Sequence, residues 1–137
     1  LGLYLCVFDG DREVEGVDLG SYADFASLRS HVLSTLENSK RGSRFPTLML
    51  HADSDGEWAP GECERLAQEL KAIRDELRGQ PPVPFSSEWQ RDTAKQFRVV
   101  PQSALECFID VDGELAVERI LGLAELSIAL RQPILFQ

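Results

Sequence analysis

Leu3-Tyr4-Leu5-Cys6-Val7-Phe8 runs into Asp9-Gly10-Asp11 and then into Glu13-Val14-Glu15-Gly16-Val17-Asp18-Leu19. The first six residues are apolar or aromatic, the composition of a strand. Glu13–Leu19 alternates weakly, which predicts a short strand that pairs back across the acidic turn as a hairpin. Ser21 then starts a helix, because Asp24 three residues on completes an approximate capping box. Phe25, Leu28, Val32 and Leu36 supply that helix with one apolar face at 3–4 spacing. A strand, its hairpin partner and an amphipathic helix in this order predict a sheet covered by helices.

The rest of the chain extends the same alternation. Residues 38–44 form a polar, basic loop. Phe45–His51 reads as a second main strand, with Pro46 at its beginning, where a missing N–H is tolerated. Pro60 sits where the first turn of a helix accepts proline. Cys63, Leu66, Leu70, Ile73 and Leu77 then repeat at helical spacing, acids lead, Arg74 and Arg78 trail, and Gly79 closes the helix. Gln80-Pro81-Pro82-Val83-Pro84 is a stiff connector along one edge of the fold. Ser86 or Ser87 caps a shorter helix with Trp89, Thr93 and Phe97 on one side. Leu105–Val111 reads as a third main strand, although its first residues suit a helix equally. A helix from Gly113 turns Val117, Ile120, Leu121, Ala124 and Ile128 inward, and Ile134-Leu135-Phe136 is a last strand after Pro133. This order predicts an α/β or α+β fold: a central mixed sheet of about four to five strands flanked by about four helices. At 137 residues the chain fits one domain, 1–137, with a core that needs neither disulfide nor metal.

No apolar run approaches the ~20 residues of a membrane span. The N-terminal run lacks a basic segment before it and reaches Asp9 too early for a signal peptide, so cytoplasmic residence is the expectation. The first residue is not Met, which points to an alternative start or a trimmed chain. Cys6, Cys63 and Cys107 form no C-x-x-C pair and fall within apolar patterns, so they read as core residues.

The charge is uneven. Residues 9–18, 53–64 and 106–118 hold fifteen acids against one base, a net of −14. The remaining thirteen bases and eight acids leave +5. Each acidic segment includes a turn: Asp9-Gly10-Asp11, Asp53-Ser54-Asp55-Gly56-Glu57-Trp58, and Asp110-Val111-Asp112-Gly113-Glu114. If the three converge, they make a negative rim that attracts basic partners and repels nucleic acid; if not, they are three solvated loops. There is no basic stripe with interleaved aromatics, so nucleic-acid binding is disfavoured.

Calcium binding of the EF-hand type fails on spacing, since Trp58 and Leu115 stand where the turn requires glycine. A looser metal or acid–base site from His51, Asp53, Asp55 and Asp110 remains a weaker alternative, that of a small metal-dependent hydrolase. There is no nucleophile elbow, P-loop or dinucleotide fingerprint, and no cofactor is implied. Trp89 reads as core. Trp58, set in an acidic turn, reads either as core or as an exposed binding anchor.

Gly2–Asp9, Gly20–Phe25, Phe45–His51 with Asp53–Trp58, Phe108–Glu114 and Pro133–Gln137 together resemble the family of small bacterial immunity proteins numbered seventy, from polymorphic toxin systems. The likeness covers nearly the whole chain. It implies a non-catalytic protein, monomer or homodimer, that binds and neutralises a cognate toxin. Many such toxins are nucleases with basic clefts, which a carboxylate surface suits. Asp53, Asp55, Glu57 and Trp58, helped by Asp110, Asp112 and Glu114, are then the expected contacts. A further alternative is a partner bound elsewhere, at the basic loop 40–44 or the connector 80–84.

Overall fold

The computed structural model describes residues 2–137. Four strands, β1 (Gly2–Asp9), β2 (Arg12–Ser21), β3 (Glu57–Trp58) and β4 (Ile134–Phe136), form one sheet in the order β2-β1-β4-β3. Among the described residues five helices accompany it: α1 (Tyr22–Leu36), α2 (Pro46–Met49), α3 (Pro60–Arg78), α4 (Glu88–Gln96) and α5 (Ala116–Leu130). A 3₁₀ turn spans Ala104–Cys107. The fold is α+β, at the lower end of the expected strand count. Its pairings are antiparallel throughout, not mixed.

The hairpin, α1, α3, α4, α5 and the terminal strand form where the sequence places them. Asp9 pairs with Arg12 across Gly10–Asp11, and Gly10 takes φ +65° in a turn that demands it. Ser21 and Asp24 complete the capping box of α1. The Asp24 carboxylate also accepts from Ser86 Oγ at 2.9 Å and Trp89 Nε1 at 2.7 Å, pinning the proline connector and α4 to the start of α1.

Two expected strands are absent. In the Phe45–His51 run, Pro46–Met49 make a single helical turn that buries Leu48 and Met49. Pro46 sets the first helical φ, and the Glu69 carboxylate on α3 accepts from Thr47 N (3.1 Å) and Leu48 N (2.9 Å). A short apolar run satisfies burial as strand or as helix; here a carboxylate sixty-nine residues into the chain decides for helix. In the Leu105–Val111 run, only Ile109 makes a β-bridge, to Leu115, and the preceding residues wind into the 3₁₀ turn. The basic loop 38–44 is also tied down: Glu37 accepts from the backbone N–H groups of Gly42, Arg44 and Phe45.

Cross-strand partners share a face of the sheet. Leu5 pairs with Val17 and Phe136, and Ile134 with Trp58. These residues, with Leu3, Val7 and Leu19, join α1, α3 and α5 in one apolar cluster. On the reverse face Tyr4 pairs with Asp18, Phe8 with Glu13, Cys6 with Gly16 and Leu135, and Leu135 with Glu57. None of these reverse-face residues belongs to the cluster that the helices close.

Candidate functional site

The acidic turns do not meet. Val111 donates its N–H to Asp18 O at 3.1 Å, which fastens the 110–114 turn to the outer edge of β2. Asp53–Gly56 lead instead into β3, the opposite edge strand, three strand spacings or ~14 Å away. Asp9–Asp11 form the hairpin tip at the other end of β2 from Asp18. The single rim that the clustering suggested is therefore three separate places.

Within the 53–58 segment two expected contacts have structural duties. Trp58 is 0% exposed; it lies on the core face, stacks edge-on against Phe136 and donates Nε1–H to Thr47 O at 3.0 Å. It is not a surface anchor, because β3 turns it inward beside Ile134. Asp53 pairs with Arg29, whose side chain is only 3% exposed. Arg29 also donates to Leu48 O (3.1 Å) and His51 O (2.8 Å) and lies over the Phe25 ring. Burial pushes the Arg29 pKa down, against the opposing pull of Asp53. Asp55 and Glu57 are exposed.

In the other turn Asp110 is fully buried. Its Oδ1 accepts from the N–H groups of Asp112 and Glu114, both at 2.9 Å, so it closes the turn and does not face solvent. Burial raises its pKa, opposed by those two N–H groups and by Arg119, whose Nε lies 3.2 Å from Oδ2. Arg119 also reaches Glu114 at 3.1 Å and donates to Gly16 O at 3.1 Å. Asp112 and Glu114 are exposed beside β2.

The alternative constellation does not assemble either. Asp110 and His51 belong to opposite edges of the sheet. The His51 ring nitrogens each lie 2.9 Å from a carbonyl oxygen, of Ala52 and of Glu57, and the ring stacks on Phe136. His51 thus brackets the turn and does not face a carboxylate. His31 meets Gln80 Oε1 at 2.8 Å. Among the described residues no group of three His, Cys, Asp or Glu side chains is arranged to hold a metal ion. All three cysteines are buried and free, and burial pushes each thiol pKa up.

The reverse face of the sheet does bring residues together. Tyr4, Phe8 and Leu135 stand half-buried in its middle, over Cys6. Tyr4 crosses Gly16 so closely that a methyl group there would overlap its ring, and its hydroxyl donates to Glu13 Oε2 at 3.0 Å. Glu13 and Asp18 stand exposed on β2, at one side of this apolar strip, and Glu57 on β3, at the other. The result is an apolar centre flanked by carboxylates from two of the three acidic segments. Sequence reasoning missed Tyr4, Phe8, Glu13, Asp18 and Leu135 as a surface. The register of β1 against both neighbours was the information required.

An apolar centre with a charged border is the anatomy of a protein interface. A family model described as Immunity protein 70 matches residues 3–136. The chain belongs to the immunity protein 70 family. Membership in an immunity-protein family implies a toxin as partner and a binding role. Comparison with curated proteins and with solved structures finds no match. Among the described residues no helix is long and apolar enough to cross a membrane.

Proposed function

We propose that this immunity protein neutralises its toxin by docking the open face of its sheet onto a basic surface, such as the cleft of a nuclease. The observation that carries the reading is the cross-strand row Glu57–Leu135–Cys6–Gly16, with Tyr4–Asp18 and Phe8–Glu13 on either side of it. Tyr4, Phe8 and Leu135 supply desolvated contact area, and Glu13, Asp18 and Glu57 supply the field. Asp112 and Glu114 extend that field past the β2 edge; Asp55 lies beside Glu57. The protein acts by occupancy and needs no catalytic group. Carboxylates at the border of an interface act mainly on the rate of encounter, and screening by salt removes that advantage.

The test is co-expression with the product of the adjacent upstream gene, scoring growth rescue and co-purification, followed by association kinetics. Glu13→Lys/Asp18→Lys/Glu57→Lys is expected to slow association at low salt by about tenfold or more, with the gap closing as salt rises. Unchanged association at low salt would remove the open face from the interface. An effect confined to Asp55→Lys or Asp112→Lys would move the interface to one edge of the sheet.

A further inference from the structure

α4 carries a second surface of opposite charge. Phe97 ends the helix, and Arg98 follows in the left-handed region at φ +57°. Arg98 N–H donates to Lys95 O at 3.3 Å and Val99 N–H to Ala94 O at 2.8 Å, so the chain folds back along the helix it has just left. Between the helix and the returning Val99–Val100 lies an open groove of about 330 Å³, floored by Phe85 and Ala94 and bordered by Arg91, Lys95 and Arg98. No carboxylate lines it. Among the described residues none of these three cations makes an ion pair, and Arg91 reaches only the Phe85 carbonyl, at 3.5 Å. Val100 is 71% exposed at its margin, and Phe97 is 47% exposed on the adjoining turn. A chain of net charge −9 thus gathers unpaired cations around exposed apolar side chains at one helix end.

We infer that this groove docks an apolar, carboxylate-bearing segment of a partner protein. Charge complementarity selects the occupant: a basic border over an apolar floor matches a segment that alternates apolar and acidic residues. A nucleic acid or an anionic bilayer is an extended field of negative charge and meets the repulsion of the whole acidic protein. A short segment engages the groove locally and largely escapes that repulsion, which is screened beyond ~10 Å at ordinary ionic strength. The basic loop 40–44 is a poorer candidate, since Arg44 is held by the Glu76 carboxylate.

The probe is a short fluorescent peptide in which leucine and phenylalanine alternate with glutamate, titrated into the full chain and followed by anisotropy. A matched peptide with lysine for glutamate is the control. Saturable binding of the acidic peptide alone is expected. Lys95→Glu/Arg98→Glu is expected to weaken it by about tenfold or more. Val100→Asp, at a side chain too exposed to matter for folding, is expected to weaken it as well. Glu13→Lys/Glu57→Lys, on the open sheet face, is expected to leave it unchanged, so the groove and the toxin-docking face are tested separately. The inference is overturned by absence of saturable binding, by equal binding of the lysine peptide, or by indifference to both groove variants. It is equally overturned if the free chain dimerises and Val100→Asp abolishes the dimer, which makes a second copy the occupant. Binding to phosphatidylserine vesicles that is lost in Lys95→Glu/Arg98→Glu, with none to the peptide, would also overturn it.

Discussion

Asp53-Ser54-Asp55-Gly56-Glu57 and Asp110-Val111-Asp112-Gly113-Glu114 are written in nearly the same letters, yet their first aspartates end in opposite environments. Asp53 is 74% exposed at its side chain and serves a buried guanidinium; Asp110 is fully buried and serves its own turn. In the first turn the cost of burial falls on Arg29, and in the second it falls on the carboxylate. The difference comes from what lies beneath. Under 53–57 the apolar layer of Trp58, Phe136 and Phe25 leaves the carbonyls of Leu48 and His51 in need of a donor, which Arg29 supplies. Beneath 110–114 the strand edge at Asp18 offers a carbonyl directly, and the turn closes on itself.

The contrast can be broken first at Arg29. Arg29→Ala leaves the buried Leu48 carbonyl and the part-buried His51 carbonyl without this donor and is expected to cost about 3 kcal/mol, read as a shift of the urea midpoint. A loss as small as that of a surface arginine would mean that the 48–53 segment holds itself. Asp110→Ala comes next: two turn N–H groups lose their acceptor and about 2 kcal/mol should go, whereas Asp110→Asn keeps Oδ1 and should cost under about 1 kcal/mol. Equal losses in the two variants would mean that the charge, not the turn acceptor, is what matters. Asp53→Asn is expected to cost only about 0.5–1 kcal/mol, because an exposed partner contributes little to a pair and the Arg29 carbonyl contacts persist.

A carboxylate bonded on every side sharpens the comparison. Burial pushes the Asp24 pKa up, but hydrogen bonds from Ser21, Trp89 and Ser86 outweigh it and hold the pKa below the ordinary carboxylate range. A depressed pKa in the folded state contributes stability above the unfolded pKa, and that stability is lost as pH falls through the folded one. Thermal melts from neutral to acid pH should therefore show a loss that Asp24→Asn lacks. Parallel curves for the two proteins would remove Asp24 as its source.

Local signals made much of the fold legible. The 3–4 spacing of Cys63 to Leu77, the Ser21–Asp24 box and the Asp9-Gly10-Asp11 turn each fix their element within a few residues, and all three stand. Phe45–His51 reads as a strand but forms a helical turn, because a short apolar run carries no period of its own; Leu105–Val111, whose first residues suit a helix equally, keeps only the bridge at Ile109. Pro46 and the distant Glu69 made a helical turn of the first, and the second begins in a 3₁₀ turn whose Ala104 N–H donates to Gln80 O at 3.1 Å. Trp58 was ambiguous for a related reason: its neighbours are polar, but a two-residue strand at the sheet edge turns its ring into the core.

The sequence by itself determined the class of fold, the identity of most core residues, the free cysteines and the family, since all depend on composition and on patterns a few residues long. Tertiary structure alone decided which carboxylates stand together. Glu57 shares a face with Glu13 and Asp18 because β4, drawn from the other end of the chain, inserts between β1 and β3 and sets their register. The 53–57 and 110–114 turns part for the same reason, as they are fastened to opposite edges of that sheet. Long-range strand order is fixed by the burial of a whole face at once, and no local stretch of sequence encodes it.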